Sequence, residues 1–198
     1  MRLLLGTNNP GKIIEISEVL RGLPLKIVTP EHLHIADAPP ETGETFQANA
    51  IEKARFYFER TQLPTVADDS GIIVEALKDE LGIHTRRWGA GPEAGDAEWI
   101  AHFLERMQDK ENKRAAFVCV LAYVDPLGAT YTFEGRCAGI ITPTLEADYL
   151  PGLPISACFR PKGHSRVFSA LTIEQKNSTS HRGRAALSLR RFLERSER

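Results

Sequence analysis

Apolar residues fall into short unbroken runs and, between them, into stripes at helical spacing. Leu3-Leu4-Leu5 predicts a buried strand over Arg2–Leu5; Ile13, Ile16, Val19 and Leu20 then predict a helix from Lys12 to Leu20. Prolines at 30, 39 and 40 make Glu31 to Thr42 a loop with room for one short strand. Phe46, Ala50, Ala54 and Phe58 return every fourth residue and predict a long helix from Thr45 to Thr61. Pro64 ends it, and Thr65–Ala67 reads as a second short buried strand finishing at Asp68. Extended chain resumes over Ile72–Leu77 beyond a tight Ser70-Gly71 turn.

The glycine-rich stretch from Gly82 to Gly95 is expected as loop, with Asp96 as N-cap of a helix whose apolar face is Trp99, Ile100, Phe103, Leu104 and Met107. Ala115–Asp125 and Ala129–Cys137 flank Pro126-Leu127-Gly128, a hairpin signal. Pro143 to Pro161 is the least regular stretch. A final helix starts near Thr172, where Thr172-x-x-Gln175 fits a capping box. It breaks near Ser178–Gly183 and resumes with Ala186, Leu187, Leu189, Phe192 and Leu193. Strands and helices alternate early and antiparallel strands follow, so the expected class is α/β with a mixed sheet. At 198 residues the chain, 1–198, is expected to be one domain, or two lobes around one cleft.

Charge and cysteine content narrow the classes of function. A net charge of −1 gives no global positive field, so no nucleic-acid partner is expected. The arginines near the C-terminus read as the polar face of an amphipathic helix. Cys119, Cys137 and Cys158 are few and unpatterned, which favours buried thiols in a reducing, cytoplasmic setting. The longest apolar run, Ala115 to Val124, is strand-sized, and no membrane association is expected.

Four segments carry chemistry. Gly6-Thr7-Asn8-Asn9-Pro10-Gly11-Lys12 follows a strand and opens a helix, an arrangement that aims backbone N–H groups at a phosphate. It matches G-x-x-x-x-G-K, but Ile13 stands where a Walker motif has its metal-binding Ser or Thr, so a metal would need carboxylates from elsewhere. The alternative is an ordinary strand–turn–helix joint. Asp68-Asp69 closes a strand where open α/β sheets bind ligands, and neighbouring residues on a strand point to opposite faces, so one of the two faces the cleft. Glu41 is the best second carboxylate for Mg²⁺, and the alternative is a solvated acidic turn. Lys176, His181 and Arg182 sit at a helix entry as donors for oxyanions or purine oxygens, or as a solvated helix start. The six histidines show no zinc spacing. Phosphate cradle, carboxylates and cationic donors together suggest an enzyme acting on a nucleotide.

In this order the segments resemble the inosine triphosphate pyrophosphatase family, which includes the bacterial non-standard purine (dITP/XTP) nucleoside triphosphate pyrophosphatases. The resemblance rests on Thr7 to Lys12; Glu41-Thr42-Gly43-x-Thr45-Phe46 with Asn49-Ala50 and Lys53-Ala54; Leu63-Pro64 through Ala67-Asp68-Asp69-Ser70-Gly71; Phe133-Glu134-Gly135 with Gly139; and Glu174-x-Lys176-Asn177 with Ser180 to Ala185. It implies an elongated central mixed sheet flanked by helices, two lobes around a nucleotide cleft, and a homodimer. It further implies Mg²⁺-dependent hydrolysis of a nucleoside triphosphate to the monophosphate and pyrophosphate. By resemblance Thr7, Asn8, Asn9, Pro10, Gly11, Lys12 and Ser70 bind substrate, chiefly its phosphates. Glu41 and Asp69 hold metal, Asp69 also accepts the proton of the attacking water, and Lys176, His181 and Arg182 meet the base and neighbouring phosphates.

Two departures stand out. Ala48-Asn49-Ala50 replaces the family's Glu-Asn-Ala. The base-binding loop, normally Phe-Gly-Tyr-Asp-Pro, reads Leu153-Pro154-Ile155-Ser156-Ala157, without the stacking ring and without the carboxylate. Inosine, deoxyinosine and xanthosine triphosphates remain the expected substrates, in nucleotide-pool house-cleaning, because the His181-Arg182 side is retained; an altered base preference and a non-catalytic nucleotide sensor are the alternatives.

Overall fold

Three consecutive leucines without exposed surface make β1 (Arg2–Leu5) a central strand, not an edge. Burying each contributes about 1.5–3 kcal/mol. The computed structural model describes residues 1–37, 39, 41–77, 80–88 and 94–196. Its six-stranded sheet adds β2 (Lys26–Val28), β3 (Thr65–Val74), β4 (Arg114–Val124), β5 (Thr130–Ile141) and β6 (Phe159–Pro161). The order is β2-β1-β3-β4-β5-β6, with β1 parallel to both neighbours and every later pairing antiparallel. The α/β class with a mixed sheet is thereby found.

Helices cover both faces. On one face, α1 (Pro10–Leu20) and α5 (His181–Ser196) pack Ile16, Leu20 and Leu189 against Leu3, Val66 and Leu121. On the other, α2 (Phe46–Thr61) lays Ala50 and Ala54 on Ala67, Val120 and Ala122. Small residues at this second contact let the helix sit close to the sheet. A separate cluster joins α3 (Asp96–Met107) to the far ends of β3–β6 through Trp99, Phe103, Phe159 and Phe168. The short α4 (Ile173–Thr179) precedes α5 and carries the expected Thr172–Gln175 capping box.

Several local expectations change. No turn interrupts Ser70-Gly71: β3 pairs with β4 continuously from Thr65 to Val74. Gly71 serves packing instead, since a Cβ there would lie 2.2 Å from the carbonyl oxygen of Gly82. Residues Gly82–Arg87 form a 3₁₀ helix within the expected loop. Asp96 is the first residue of α3 and Gly95 its N-cap; the Asp96 carboxylate accepts from the Gly152 N–H at 2.5 Å. The described part of 31–42 holds a 3₁₀ turn, Glu31–Leu33, and no strand. The strands the pattern missed are β2 and β6, each three residues long and too short for a periodic signal; β6 lies in the stretch read as irregular. The break between α4 and α5 narrows to Ser180, whose hydroxyl accepts from the Gly183 N–H at 2.9 Å as an N-cap. All three thiols are buried, and burial pushes Cys119 and Cys158 up to about 12.

Candidate active site

Strand alternation decides what each aspartate meets. Val66 faces the α1/α5 layer and Ala67 faces α2, so Asp68 falls on the first side and Asp69 on the second. Asp68 pairs with Lys12 Nζ at 2.9 Å, accepts from the Ser70 hydroxyl at 3.0 Å and lies 3.8 Å from Arg182 Nε. Asp69 accepts from Lys53 Nζ at 2.8 Å and from Asn49 Nδ2 at 3.2 Å. Both carboxylates are buried, each inside its own set of donors.

Lys53 also reaches Glu41 Oε1 at 3.0 Å, so carboxylates from a loop and from β3 converge on one positive centre. Asn49, Lys53 and Tyr57 recur every fourth residue on α2 and are all buried, a polar-headed stripe beside the alanine stripe. Gly6, Thr7, Lys12, Glu41, Lys53 and Asp68 surround one polar pocket.

Lys12 also opens onto a second cleft, between the α1/α5 layer and the Trp99–Phe159 cluster. Its charged side is built on Glu15, a buried carboxylate of α1 that the sequence patterns did not single out. Lys176 Nζ lies 2.5 Å from Glu15 Oε1, and Arg182 donates to Oε2 through Nη1 and to the Ser70 hydroxyl through Nη2. The signal for Glu15 was its i, i+3 spacing from Lys12, which puts both on one face of α1. The apolar side carries Trp99, Phe117, Leu153, Ile155 and Phe168. The expected loop residues Leu153, Pro154, Ile155 and Ser156 do line this cleft, in the 3₁₀ turn Pro154–Ala157 and its N-cap.

The glycine turn at Gly6–Lys12 contributes less directly than its motif suggests. Asn9 is the N-cap of α1, its Oδ1 accepting from the Lys12 N–H, while its Nδ2 donates to the Gly152 carbonyl at 3.2 Å. Both ends of that amide are engaged within the protein. Thr7 Oγ1 accepts from the Asn9 N–H at 3.2 Å. A Cβ on Gly11 would lie 2.6 Å from Leu153 Cδ1, so this glycine lets the base-side loop close onto α1. Asn8 and Pro10 are exposed, and Pro10 occupies the first helical position, where its missing N–H costs nothing.

Electrostatics separate the acids. Burial alone would raise Asp68, but Lys12 and Arg182 outweigh it and hold the carboxyl well below the usual range. Burial also raises Asp69, and here Lys53 and Asn49 offset it incompletely, leaving a carboxylate more basic than usual. Glu15 resembles Asp68: burial raises it, and Arg182 and Lys176 bring it below its ordinary value. Burial, then Arg182 and Lys176, depress His181 well below the ordinary histidine value. Its ring stacks on Phe117 at 4.5 Å, and Nδ1 is buried without a hydrogen-bond partner among the described residues.

His181 is therefore neutral in the fold, with a consequence for acid stability. The unfolded chain takes up a proton below the ordinary value of 6.5 that the folded chain refuses, so stability falls as pH drops through that point. Melting curves between roughly pH 5 and 7 will show this slope, and His181→Phe will flatten it.

Glu41 Oε1 and Asp69 Oδ1 already share one cation, and Mg²⁺ takes one or two carboxylates and completes its shell with phosphate oxygens and water. The two residues fit that part of a Mg²⁺ shell. Among the described residues no group of three or more His, Cys, Asp or Glu side chains could hold a metal by itself.

Comparison with known proteins gives a consistent picture. The model of the Ham1 family matches residues 3–192. A dITP/XTP pyrophosphatase of Leptospira interrogans is 41% identical, covering 97% of this chain and 96% of the relative. One of Porphyromonas gingivalis is 36% identical, covering 97% of each. The solved Ham1 protein of Staphylococcus aureus superposes with a TM-score of 0.83 at 30% identity, over 99% of this chain and all of that one. That of Coxiella burnetii gives 0.83 at 33% identity, over 98% of this chain and 99% of that one.

Proposed function

This chain belongs to the Ham1 family, and on that premise we propose that it hydrolyses non-standard purine nucleoside triphosphates, dITP, ITP and XTP, to the monophosphate and pyrophosphate. Such an activity removes damaged purines from the nucleotide pool. The observation that carries the reading is the convergence of Glu41 and Asp69 on Lys53, beside the pocket formed by Lys12, Thr7 and Asp68.

In this reading the triphosphate lies across Lys12, with its phosphates toward Gly6 and Thr7 and its base in the second cleft, between the α1/α5 layer and the Trp99–Phe159 cluster. Mg²⁺ held by Glu41 and Asp69 would spread the charge of the phosphates. Asp69, the more basic of the paired aspartates, takes a proton from the water that attacks the α-phosphorus. The bond from that phosphorus to the oxygen bridging the β-phosphate breaks, and pyrophosphate leaves with its charge balanced by Lys12 and Lys53. Asp68 does not titrate in the working range, and its task is to hold Lys12 and Arg182 in place. Ser70 links Asp68 to Arg182, and Lys176 and Arg182 close the base side.

Purified protein incubated with Mg²⁺ and a triphosphate panel tests the reading: inosine triphosphate should give monophosphate and pyrophosphate in equal amounts. Release of orthophosphate, or tight binding without turnover, would overturn it. Lys12→Ala should weaken binding of triphosphate far more than of monophosphate, by about tenfold or more if it loses one charge-assisted contact. Calorimetric titration with a non-hydrolysable triphosphate and with the monophosphate checks this.

The reading extends to a cytoplasmic homodimer. Buried free thiols support a reducing compartment, and among the described residues no helix is long and apolar enough to cross a membrane. Light scattering at micromolar concentration should give twice the chain mass of 22.0 kDa; a monomer would remove this part of the reading.

A further inference from the structure

The donors around the phosphate pocket differ in what they can still offer a ligand. On the Gly6–Thr7 side three backbone donors are committed. The Gly6 N–H donates to the Val66 carbonyl at 2.7 Å, the Thr7 N–H to the Leu5 carbonyl at 2.8 Å, and the Asn9 N–H to the Thr7 hydroxyl at 3.2 Å. The two ammonium groups are shared with carboxylates, Lys12 with Asp68 and Lys53 with Glu41 and Asp69. Tyr57 lines the same pocket, and its hydroxyl is free.

Tyr57 is 4% exposed; its ring packs with Leu4 and Val28 and meets Phe56 edge-on at 5.2 Å. Its hydroxyl oxygen is nevertheless not sealed from solvent and makes no hydrogen bond among the described residues. The packing asks for a ring and gives the oxygen no task.

Three observations aim that oxygen at phosphate. Tyr57 stands one helical turn after Lys53 on α2, and helical side chains lean toward the N-terminus, so the phenol leans toward Lys53. A Cβ on Gly6 would lie 2.6 Å from Tyr57 Cδ2, so the start of the glycine turn rests directly on the ring. Burial raises the phenol above its ordinary value of 10.0 by more than Lys53 and Arg60 lower it, so it keeps its proton at neutral pH. An ionised phosphate oxygen only accepts, and a protonated phenol beside it donates a charge-assisted hydrogen bond.

We propose that Tyr57 is a further substrate-binding residue, whose hydroxyl donates a hydrogen bond to a distal phosphate of the bound triphosphate, part of the pyrophosphate that leaves. The proposal rests on the pyrophosphatase reading and adds a neutral donor that the Gly6–Lys12 turn, Glu41 and Asp69 do not include.

The test is Tyr57→Phe, which keeps the ring against Gly6, Leu4 and Val28 and removes the oxygen. Its melting temperature should equal that of wild type. Its KM for inosine triphosphate with Mg²⁺ should rise about tenfold or more, the scale of a lost hydrogen bond to a charged group, at a kcat within about twofold. Inhibition by pyrophosphate should weaken by the same factor, while inhibition by inosine monophosphate stays unchanged. An unchanged KM with unchanged pyrophosphate inhibition would overturn the proposal and leave the pyrophosphatase reading standing. Equal weakening of pyrophosphate and monophosphate would overturn it too, since a merely structural role would move both. If wild type releases no pyrophosphate from any triphosphate, the reading fails and the proposal with it. Should Tyr57→Phe not fold, wild-type protein carrying 3-fluorotyrosine at its four tyrosines decides: pyrophosphate should shift one fluorine signal that inosine monophosphate leaves in place. The absence of any signal responsive to pyrophosphate would overturn the proposal.

Discussion

Asp69→Asn lowers kcat at least about a hundredfold, the scale of a positioned general base, while the melting temperature changes little. Asparagine is isosteric, its carbonyl oxygen can still accept from Lys53, and Asn49 remains beside it. Asp68→Asn behaves in the opposite way. Asp68 is the buried counter-charge of Lys12 and Arg182, so its neutralisation leaves two cations under-compensated and costs about 3 kcal/mol or more of stability. Steady-state kinetics and denaturant unfolding on both variants separate the roles; matched losses of kcat at unchanged stability would contradict the assignment. Titration of the metal-free wild type supplies a second check. Burial holds the Asp69 carboxyl above the ordinary 3.8 for aspartate, so it takes up its proton at a higher pH than a free side chain. Asp68 sits below that value, so its stabilising charge is present above the ordinary aspartate range and is lost only at lower pH.

Glu15→Ala is expected to destabilise the fold by about 3–5 kcal/mol, the usual consequence of removing one partner from a buried ionic group. Lys176 and Arg182 both depend on it, and Arg182 is only 3% exposed, so the guanidinium would be left with the Ser70 hydroxyl and a distant Asp68. Glu15→Gln should lose less, because an amide oxygen still accepts from one of the two cations. Urea unfolding of the three proteins measures the differences. A midpoint for Glu15→Ala equal to wild type would mean that the cations relax into solvent and that Glu15 does not hold the base side together.

The periodic segments were legible because their signal is local. The leucine run of β1, the helical stripes of α1, α2 and α3, the β4–β5 hairpin and the Thr172 cap all depend on residues within one or two turns of each other. The same holds for the candidate residues as a set. Lys12, Ser70, Lys176, His181 and Arg182 line one cleft, Thr7 lines the neighbouring pocket that Lys12 shares, and Glu41 meets Asp69 through Lys53. What each group does was not legible. A turn of Asn8, Asn9 and Gly11 looks like a phosphate cradle in isolation, yet Asn9 is a helix cap tied to Gly152, 143 residues away, and Gly11 makes room for Leu153. The unbroken course of β3 through Ser70-Gly71 was hidden for the same reason: only pairing with β4 overrides a turn-like dipeptide.

By itself, the sequence determined the α/β class, the order of the main helices and strands, and which residues are chemically able to handle a nucleotide. Strand alternation also required Asp68 and Asp69 to point apart. Which of them would be clamped and which left basic depended on helices placed on opposite faces of β3: α1 and α5 bring Lys12 and Arg182 to one, α2 brings Lys53 and Asn49 to the other. Glu15 acquires its importance in the same way, from an arginine 167 residues further along the chain. Charge environments are sums over neighbours in space, and a carboxylate's basicity follows from the burial and cations that only the folded arrangement supplies.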